Sequence, residues 1–213
     1  MSLDSRLVNL AAAAHKLVEG GFVRGVAGSV SLRWEDQCYI SPAGARLDRL
    51  SAADFIPLAI DGHNSWQLKR ASAEYGLHLA CYRVRPDLQT VLRIQPPNCM
   101  ALGCAGLSLG AISPDFYLAV GAEVPLLPYS TPSTQALADA VGQAIVEHNA
   151  VLLRNQGLVV AAAGSDEAWL RSQAIEEVAR IVLLAHAATG TCSFLTREEI
   201  EQLAQMVGPS HPA

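Results

Sequence analysis

Helical and strand-like patterns alternate along all 213 residues without a long linker, a low-complexity tract or an internal repeat, and this constrains the fold more than any other feature. Elements interleaved in this way bury their apolar faces as layers, so the pattern predicts one α/β domain in which helices cover a sheet. Leu3, Leu7, Leu10, Ala14 and Leu17 recur at helical steps before Gly20 and Gly21, which describes an amphipathic first helix. The runs SVSLRW and QCYI, split by Glu35 and Asp36, suit a hairpin ending at Ser41-Pro42-Ala43-Gly44, and FIPLAI and WQL read as further strands. Ser72 is placed to cap a helix through Tyr82 that Pro86 ends, followed by the β-rich run QTVLRI. A helix over 134–148 comes next, then strands AVLLR and LVVAA around Asn155-Gln156-Gly157 and a long helix from Ser165 to Gly190. Thr196 with Glu199 forms a capping box for a last short helix.

Composition then removes several function classes. A chain that is 51% hydrophobic and 16% charged is too apolar to stay disordered, and its length suffices for one well-buried core. A net charge of −5 lacks the positive footprint of sequence-independent nucleic-acid binding, so no nucleic-acid partner is expected. Asp4, Arg6, Lys16 and Glu19 interrupt the apolar positions of the first helix, unlike a signal-peptide core. Pro96, Pro97, Asn98 and several glycines break the uncharged stretch between Arg93 and Asp115, so no membrane span and no membrane partner are expected. Cys38, Cys81, Cys99, Cys104 and Cys192 are odd in number and contain no CxxC pair, which predicts buried free thiols in a cytoplasmic protein.

Three places can bring backbone amides near an anion: Gly25-Val26-Ala27-Gly28-Ser29, Ser41-Pro42-Ala43-Gly44 and the Ser72 helix start. Turns and caps use the same residue types, and none of the three fits a P-loop or a dinucleotide fingerprint. The histidines include no HxH, HxxxH or HExxH pair, so no local nucleus for zinc is present. His78 falls one helical turn after Glu74; the two can hydrogen-bond or share a cleft, or His78 can be satisfied within the helix packing.

Gly28-Ser29-Val30-Ser31-Leu32-Arg33 followed by Ile40-Ser41-Pro42-Ala43-Gly44 resembles the opening of the class II aldolase/adducin family, G-N-[IV]-S-x-R and then I-[ST]-P-[ST]-G. The resemblance continues in order through Ser72-Ala73-Glu74 with His78, through Tyr82-Arg83-Val84-Arg85-Pro86-Asp87, and through Asn149-Ala150-Val151-Leu152-Leu153-Arg154-Asn155-Gln156-Gly157, covering about residues 5–205. It implies a single domain over 1–213, a three-layer α/β/α architecture with a mostly antiparallel central sheet, and assembly as a homotetramer with sites at subunit boundaries. It also implies aldehyde-lyase chemistry on sugar phosphates such as fuculose 1-phosphate, or related epimerase and dehydratase chemistry. In that chemistry a divalent metal, often zinc, polarises the substrate carbonyl as a Lewis acid.

The sequence departs from the family at the metal. Where the family carries H-x-H-P the chain has Arg93-Ile94-Gln95-Pro96, and where it carries N-H-G the chain has Asn155-Gln156-Gly157. All three histidine ligands are replaced, while the family's carboxylate survives as Glu74. One carboxylate, two amides and a permanently charged guanidinium make a poor zinc shell, so no metal or other cofactor is expected. Arg93 and Gln95 lie two apart on a strand and share a face. Arg93 either pairs with Glu74 and fills the site electrostatically, or snorkels to solvent. In the anion loops Ser29, Ala43 and Ala73 stand where the resemblance places Asn, Ser or Thr, and Ser. Backbone at Gly28 and Gly44 with the hydroxyls of Ser29, Ser41 and Ser72 can still hold a phosphate or carboxylate. Tyr129 resembles a family pocket tyrosine or packs under a loop.

Three readings follow, sharing Glu74 as candidate acid/base and Gly28, Ser29, Ser41, Gly44, Ser72, Arg93, Gln95 and Gln156 as candidate substrate-binding residues. In the first, metal-dependent lyase activity is lost and the protein binds a small phosphorylated or carboxylated metabolite or a protein partner, much as the adducin head domain keeps the fold without the ligands. In the second, Glu74 acts as base and Arg93 replaces the metal as electrophile in an active lyase. In the third, the chain is a non-catalytic structural subunit.

Overall fold

The computed structural model describes residues 2–62 and 67–207. Helix α1 (Leu3–Glu19) begins where the Ser2 hydroxyl accepts the Ser5 N–H and stops at Gly20, as its periodicity predicts. Its stripe Leu7, Leu10, Ala11, Ala14 and Leu17 is buried, which stabilises the fold by roughly 1.5–3 kcal/mol per leucine. Strands β1 (Ser29–Trp34) and β2 (Gln37–Ile40) form the expected hairpin, closed through Glu35 at φ +54°, the left-handed conformation that so tight a turn demands. Strand β3 (Ile56–Ala59) extends the meander. WQL forms no strand: Gln67–Lys69 is a 3-10 turn in which the Gln67 carbonyl accepts both the Arg70 and Ala71 N–H, and Trp66 lies outside the described residues.

In helix α2 (Tyr75–Val84) the N-cap position is held by Glu74 rather than Ser72, and no side chain caps it. The Ser72 carbonyl accepts the Tyr75 N–H at 3.0 Å and its hydroxyl accepts the Glu74 N–H at 3.4 Å, so Ser72 closes the turn before the helix instead of opening the helix itself. Strand β4 (Thr90–Ile94) follows. Next come helix α3 (Pro97–Ala105), strand β5 (Leu109–Gly110), helix α4 (Pro114–Val120), and strands β6 (Glu123–Val124) and β7 (Leu126–Leu127), a region in which the sequence pattern predicts none of them. Helix α5 (Gln135–Ile145) ends short of its predicted 148, because the Val146 and Glu147 amides fold back onto Gln143 and Ala144 in tighter turns. Strands β8 (Ala150–Leu153) and β9 (Gly157–Ala162), helix α6 (Ser165–Thr189) and helix α7 (Arg197–Val207) complete the described chain. The capping box of α7 is formed in both directions between Thr196 and Glu199.

The main sheet runs β3-β2-β1-β4-β9-β8-β7, antiparallel at every junction except β7 with β8. Strand alternation splits its side chains between two cores. Val30, Leu32, Leu92, Ile94, Leu158 and Val160 face α1, α3, α4 and α6. Val91, Val151, Val159 and Ala161 face α2 and α5. The three-layer α/β/α arrangement with a mostly antiparallel sheet is therefore present. Helices α2 and α5 approach closely because small residues meet: a Cβ on Gly142 would stand 3.2 Å from that of Ala80. Gly157, at φ +123°, is the other enforced glycine, since a Cβ there would collide with the Ile94 carbonyl oxygen.

Cys38, Cys81 and Cys99 are buried free thiols, whereas Cys104 is exposed and Cys192 half-buried, against the expectation of burial for all five. Cys104 lies one helical step beyond the buried side of α3, which carries Cys99, Leu102 and Gly103. Burial pushes the Cys38 and Cys81 thiols up to about 12. Among the described residues no helix is long and apolar enough to cross a membrane.

Candidate functional site

The sequence-selected residues converge at one end of the sheet. Arg93, the penultimate residue of β4, is paired in register with Ser29 of β1 and Val159 of β9, on the face covered by α2 and α5. Glu74 stands at the start of α2 on that side, where the Ser133 hydroxyl donates to its Oε1 at 3.1 Å. Beyond β4, the Gln95 amide donates to the Gln156 carbonyl at 3.2 Å, and the Gln156 amide nitrogen donates to the Ser130 carbonyl. The turn carrying Gln156 is held by the Gln156 N–H on the Leu153 carbonyl at 3.0 Å and by Asn155 at φ +60°. The segment from Ser130 to Ser133 thus ties Glu74 to Gln156, a link with no signature in the sequence, since short polar loops carry no periodicity.

Arg93 is 9% exposed and donates no hydrogen bond. Burial lowers its pKa, and the Glu74 charge acts in the opposite direction. The charges sense each other, yet no Arg93 nitrogen comes within ion-pair distance of Glu74, and the guanidinium is not out in solvent either. The expected ion pair and the expected snorkelling are both corrected. Four buried side-chain nitrogen or oxygen atoms lack a partner among the described residues, and three of them are Glu74 Oε2, Arg93 Nε and Gln156 Oε1.

His78 does not bond Glu74. Its ring is fully buried, with Nε2 at 2.7 Å from the Ser29 hydroxyl and Nδ1 at 2.8 Å from that of Ser31, which also shares a 2.8 Å hydrogen bond with the Tyr82 hydroxyl. Burial, reinforced by the Arg93 charge, drives its pKa down to about 3, so the ring is neutral. Ser31 and Tyr82 escaped selection from the sequence; the alternation that sets Ser29 and Ser31 on one face was the available signal.

The expected anion loops are placed differently from one another. The Ser41 carbonyl accepts the Ser72 N–H at 3.0 Å and Pro42 bridges to Ala71, so these two loops are adjacent. The Ser41 hydroxyl accepts the Val30 N–H and that of Ser72 accepts the Glu74 N–H, leaving each one O–H to donate. At Gly28 a Cβ would press on Val23 at 3.0 Å, so packing alone accounts for the glycine. Gly44, at φ +66°, is exposed with open space around it. Tyr129 is 57% exposed and packs under nothing.

Clefts of about 470, 520 and 510 Å³ open at the opposite end of β4, around Arg6, Arg33, Gln89 and the start of α6. None of the candidate residues lines them, and the chemistry places the site at the end with the unpartnered groups. The donor set there does not fit zinc, which takes lone pairs from imidazole, thiolate or several carboxylates, whereas Arg93 has none to give. Among the described residues no group of three or more His, Cys, Asp or Glu is placed to hold a metal ion.

The family profile of the class II aldolase and adducin N-terminal domain matches residues 8–183. The chain belongs to the class II aldolase and adducin family. It is 30% identical to L-fuculose phosphate aldolase of Escherichia coli strain K12 over 181 residues, covering 84% of this chain and 83% of that protein. It is 29% identical to 5-deoxy-D-ribulose 1-phosphate aldolase of Bacillus thuringiensis serovar kurstaki over 209 residues, 96% of each. Among solved structures, an L-fuculose 1-phosphate aldolase superposes with a TM-score of 0.86 at 25% identity, over 97% of this chain and 98% of that one.

Proposed function

We propose that this class II aldolase-family protein no longer carries out metal-dependent cleavage of a sugar phosphate and instead binds a small anionic metabolite at Arg93, without a metal or other cofactor. The observation that carries this reading is a nine-tenths buried arginine whose side chain makes no hydrogen bond among the described residues and whose Nε is shut from solvent, as are Glu74 Oε2 and Gln156 Oε1. Burying a cation without a partner destabilises a fold, and an anionic ligand supplies what is lacking. The proposal includes assembly as a homo-oligomer, a tetramer by family resemblance, in the cytoplasm, with neither nucleic acid nor membrane as partner. A second reading draws on the free Oε2 of Glu74: the carboxylate acts as base while Arg93 polarises a substrate carbonyl.

The test combines elemental analysis of untagged protein, before and after incubation with zinc and dialysis, with a cleavage assay on L-fuculose 1-phosphate. Background metal and no cleavage are expected. About one zinc held per chain together with cleavage, the behaviour of a catalytic zinc site, would overturn the proposal. Cleavage by metal-free protein would favour the second reading.

A further inference from the structure

The unpartnered atoms also specify what the ligand is, on the reading that this site binds an anion. Arg93 offers N–H donors without an acceptor, while Glu74 Oε2 and Gln156 Oε1 are acceptors without a donor. A simple anion satisfies the first and leaves the other two unmet; a polyol does the reverse. The ligand must therefore join an anionic group to neighbouring hydroxyls.

Charge then separates a carboxylate from a phosphate. Among the described residues Arg93 is the cation whose charge reaches Glu74, which already contributes a negative charge, and His78, buried behind Ser29, is neutral. The start of α2, the kind of helix end that ordinarily welcomes a phosphate, carries the Glu74 carboxyl group, and its Tyr75 and Leu77 N–H groups already bond the Ser72 and Glu74 carbonyls. A phosphate dianion would bring two negative charges beside that carboxylate against a single guanidinium, and a carboxylate brings one. A carboxylate also matches the planar fork of a guanidinium in two parallel hydrogen bonds.

The oxygens of Glu74 and Gln156 are shut from solvent, and the other half of each group is held by the segment from Ser130 to Ser133. Ser133 sits at φ +61°, a left-handed conformation that is unfavourable for a residue with a side chain. Its closed form is thus under strain and suited to give way. We propose that the site takes a hydroxymonocarboxylate, its carboxylate on Arg93 and its hydroxyls donating to the unpartnered Oε2 of Glu74 and Oε1 of Gln156 as the Ser130 to Ser133 segment moves aside.

The experiment is calorimetric titration of the full chain with four probes: D-glycerate, propionate, glycerol and glycerol 3-phosphate. Glycerate is expected to bind at least about tenfold more tightly than each of the others, a difference that one added charge-assisted hydrogen bond can supply. Arg93→Met is expected to abolish glycerate binding while keeping a cooperative thermal transition, and Arg93→Lys, which keeps charge but loses the fork, to fall between. Glu74→Gln is expected to narrow the gap between glycerate and propionate. Equal or tighter binding of glycerol 3-phosphate that is lost in Arg93→Met would overturn the carboxylate assignment and leave the anion-binding reading standing. Glycerate binding unchanged in Arg93→Met, or no binding of glycerate at all, would overturn the inference outright. The reading it rests on fails separately, by zinc content with cleavage.

Discussion

Two buried arginines, 9% and 7% exposed, stand at different places in the same fold and behave in opposite ways. Arg171 on α6 donates to the Ala119 carbonyl at 2.8 Å, to the Ala161 carbonyl and to Glu167 at 2.6 Å, so it clamps α4 and β9 to its own helix. Arg93 on β4 donates to nothing. Burial lowers the pKa of both and a nearby glutamate opposes it in both, so the difference lies in geometry rather than in electrostatic surroundings. A buried guanidinium that builds the fold directs its donors at backbone carbonyls; one whose donors stay free is arranged for something the chain itself does not contain.

The contrast can be broken or sharpened by measurement. The largest effect is expected around His78, the neutral ring beside Arg93. Its pKa falls from 6.5 to about 3 on folding, so between those values the unfolded chain binds more protons than the folded one. Stability is then complete above pH 6.5 and is lost as the pH falls towards 3, by up to about 1.4 kcal/mol per unit. Urea unfolding at a series of pH values reads this slope, and in Arg93→Met the decline is expected to begin at the same pH but to end at a higher one, with a smaller total loss, because one cause of the lowered pKa is removed. Next is Arg171→Met, expected to cost about 2–3 kcal/mol by taking the donor from the buried Ala161 carbonyl and the half-buried Ala119 carbonyl, read as a drop in urea midpoint without a change in slope. Glu176→Gln is expected to cost about 1.5–2 kcal/mol, since this buried carboxylate accepts the Asn98 and Cys99 N–H groups at the start of α3. Arg93→Met is expected to be neutral or to stabilise by up to about 1 kcal/mol, because it removes an uncompensated buried charge. A loss matching that of Arg171→Met would show that the two arginines are alike and would end the distinction.

How legible the fold was follows the range of the interactions that decide it. Helix α1, the β1–β2 hairpin and the capping box at Thr196 and Glu199 are set by residues within a few positions of each other, and the sequence reveals them. The region from α3 to β7 is decided elsewhere: α3 lacks a side-chain cap of its own and takes one from Glu176, while β7 is a two-residue strand that exists by pairing with β8. For the site, the shared face of Arg93 with Val91, under α2 and α5, follows from strand alternation. The bond of His78 to Ser29 and Ser31, and the ties from Ser130 and Ser133, join positions far apart in the chain and leave no local trace.

The cap on α3 has a consequence for the order in which the protein can be made. Asn98 waits for Glu176, which lies 78 positions later. At a synthesis rate of roughly 5–20 residues per second, the first turn of α3 leaves the ribosome on the order of ten seconds before the residue that completes it. During that interval the apolar run around Leu102 has neither its cap nor α6 to lie against. The apolar side of α3 therefore stays open until α6 has been made, a stretch that a nascent-chain chaperone would find exposed.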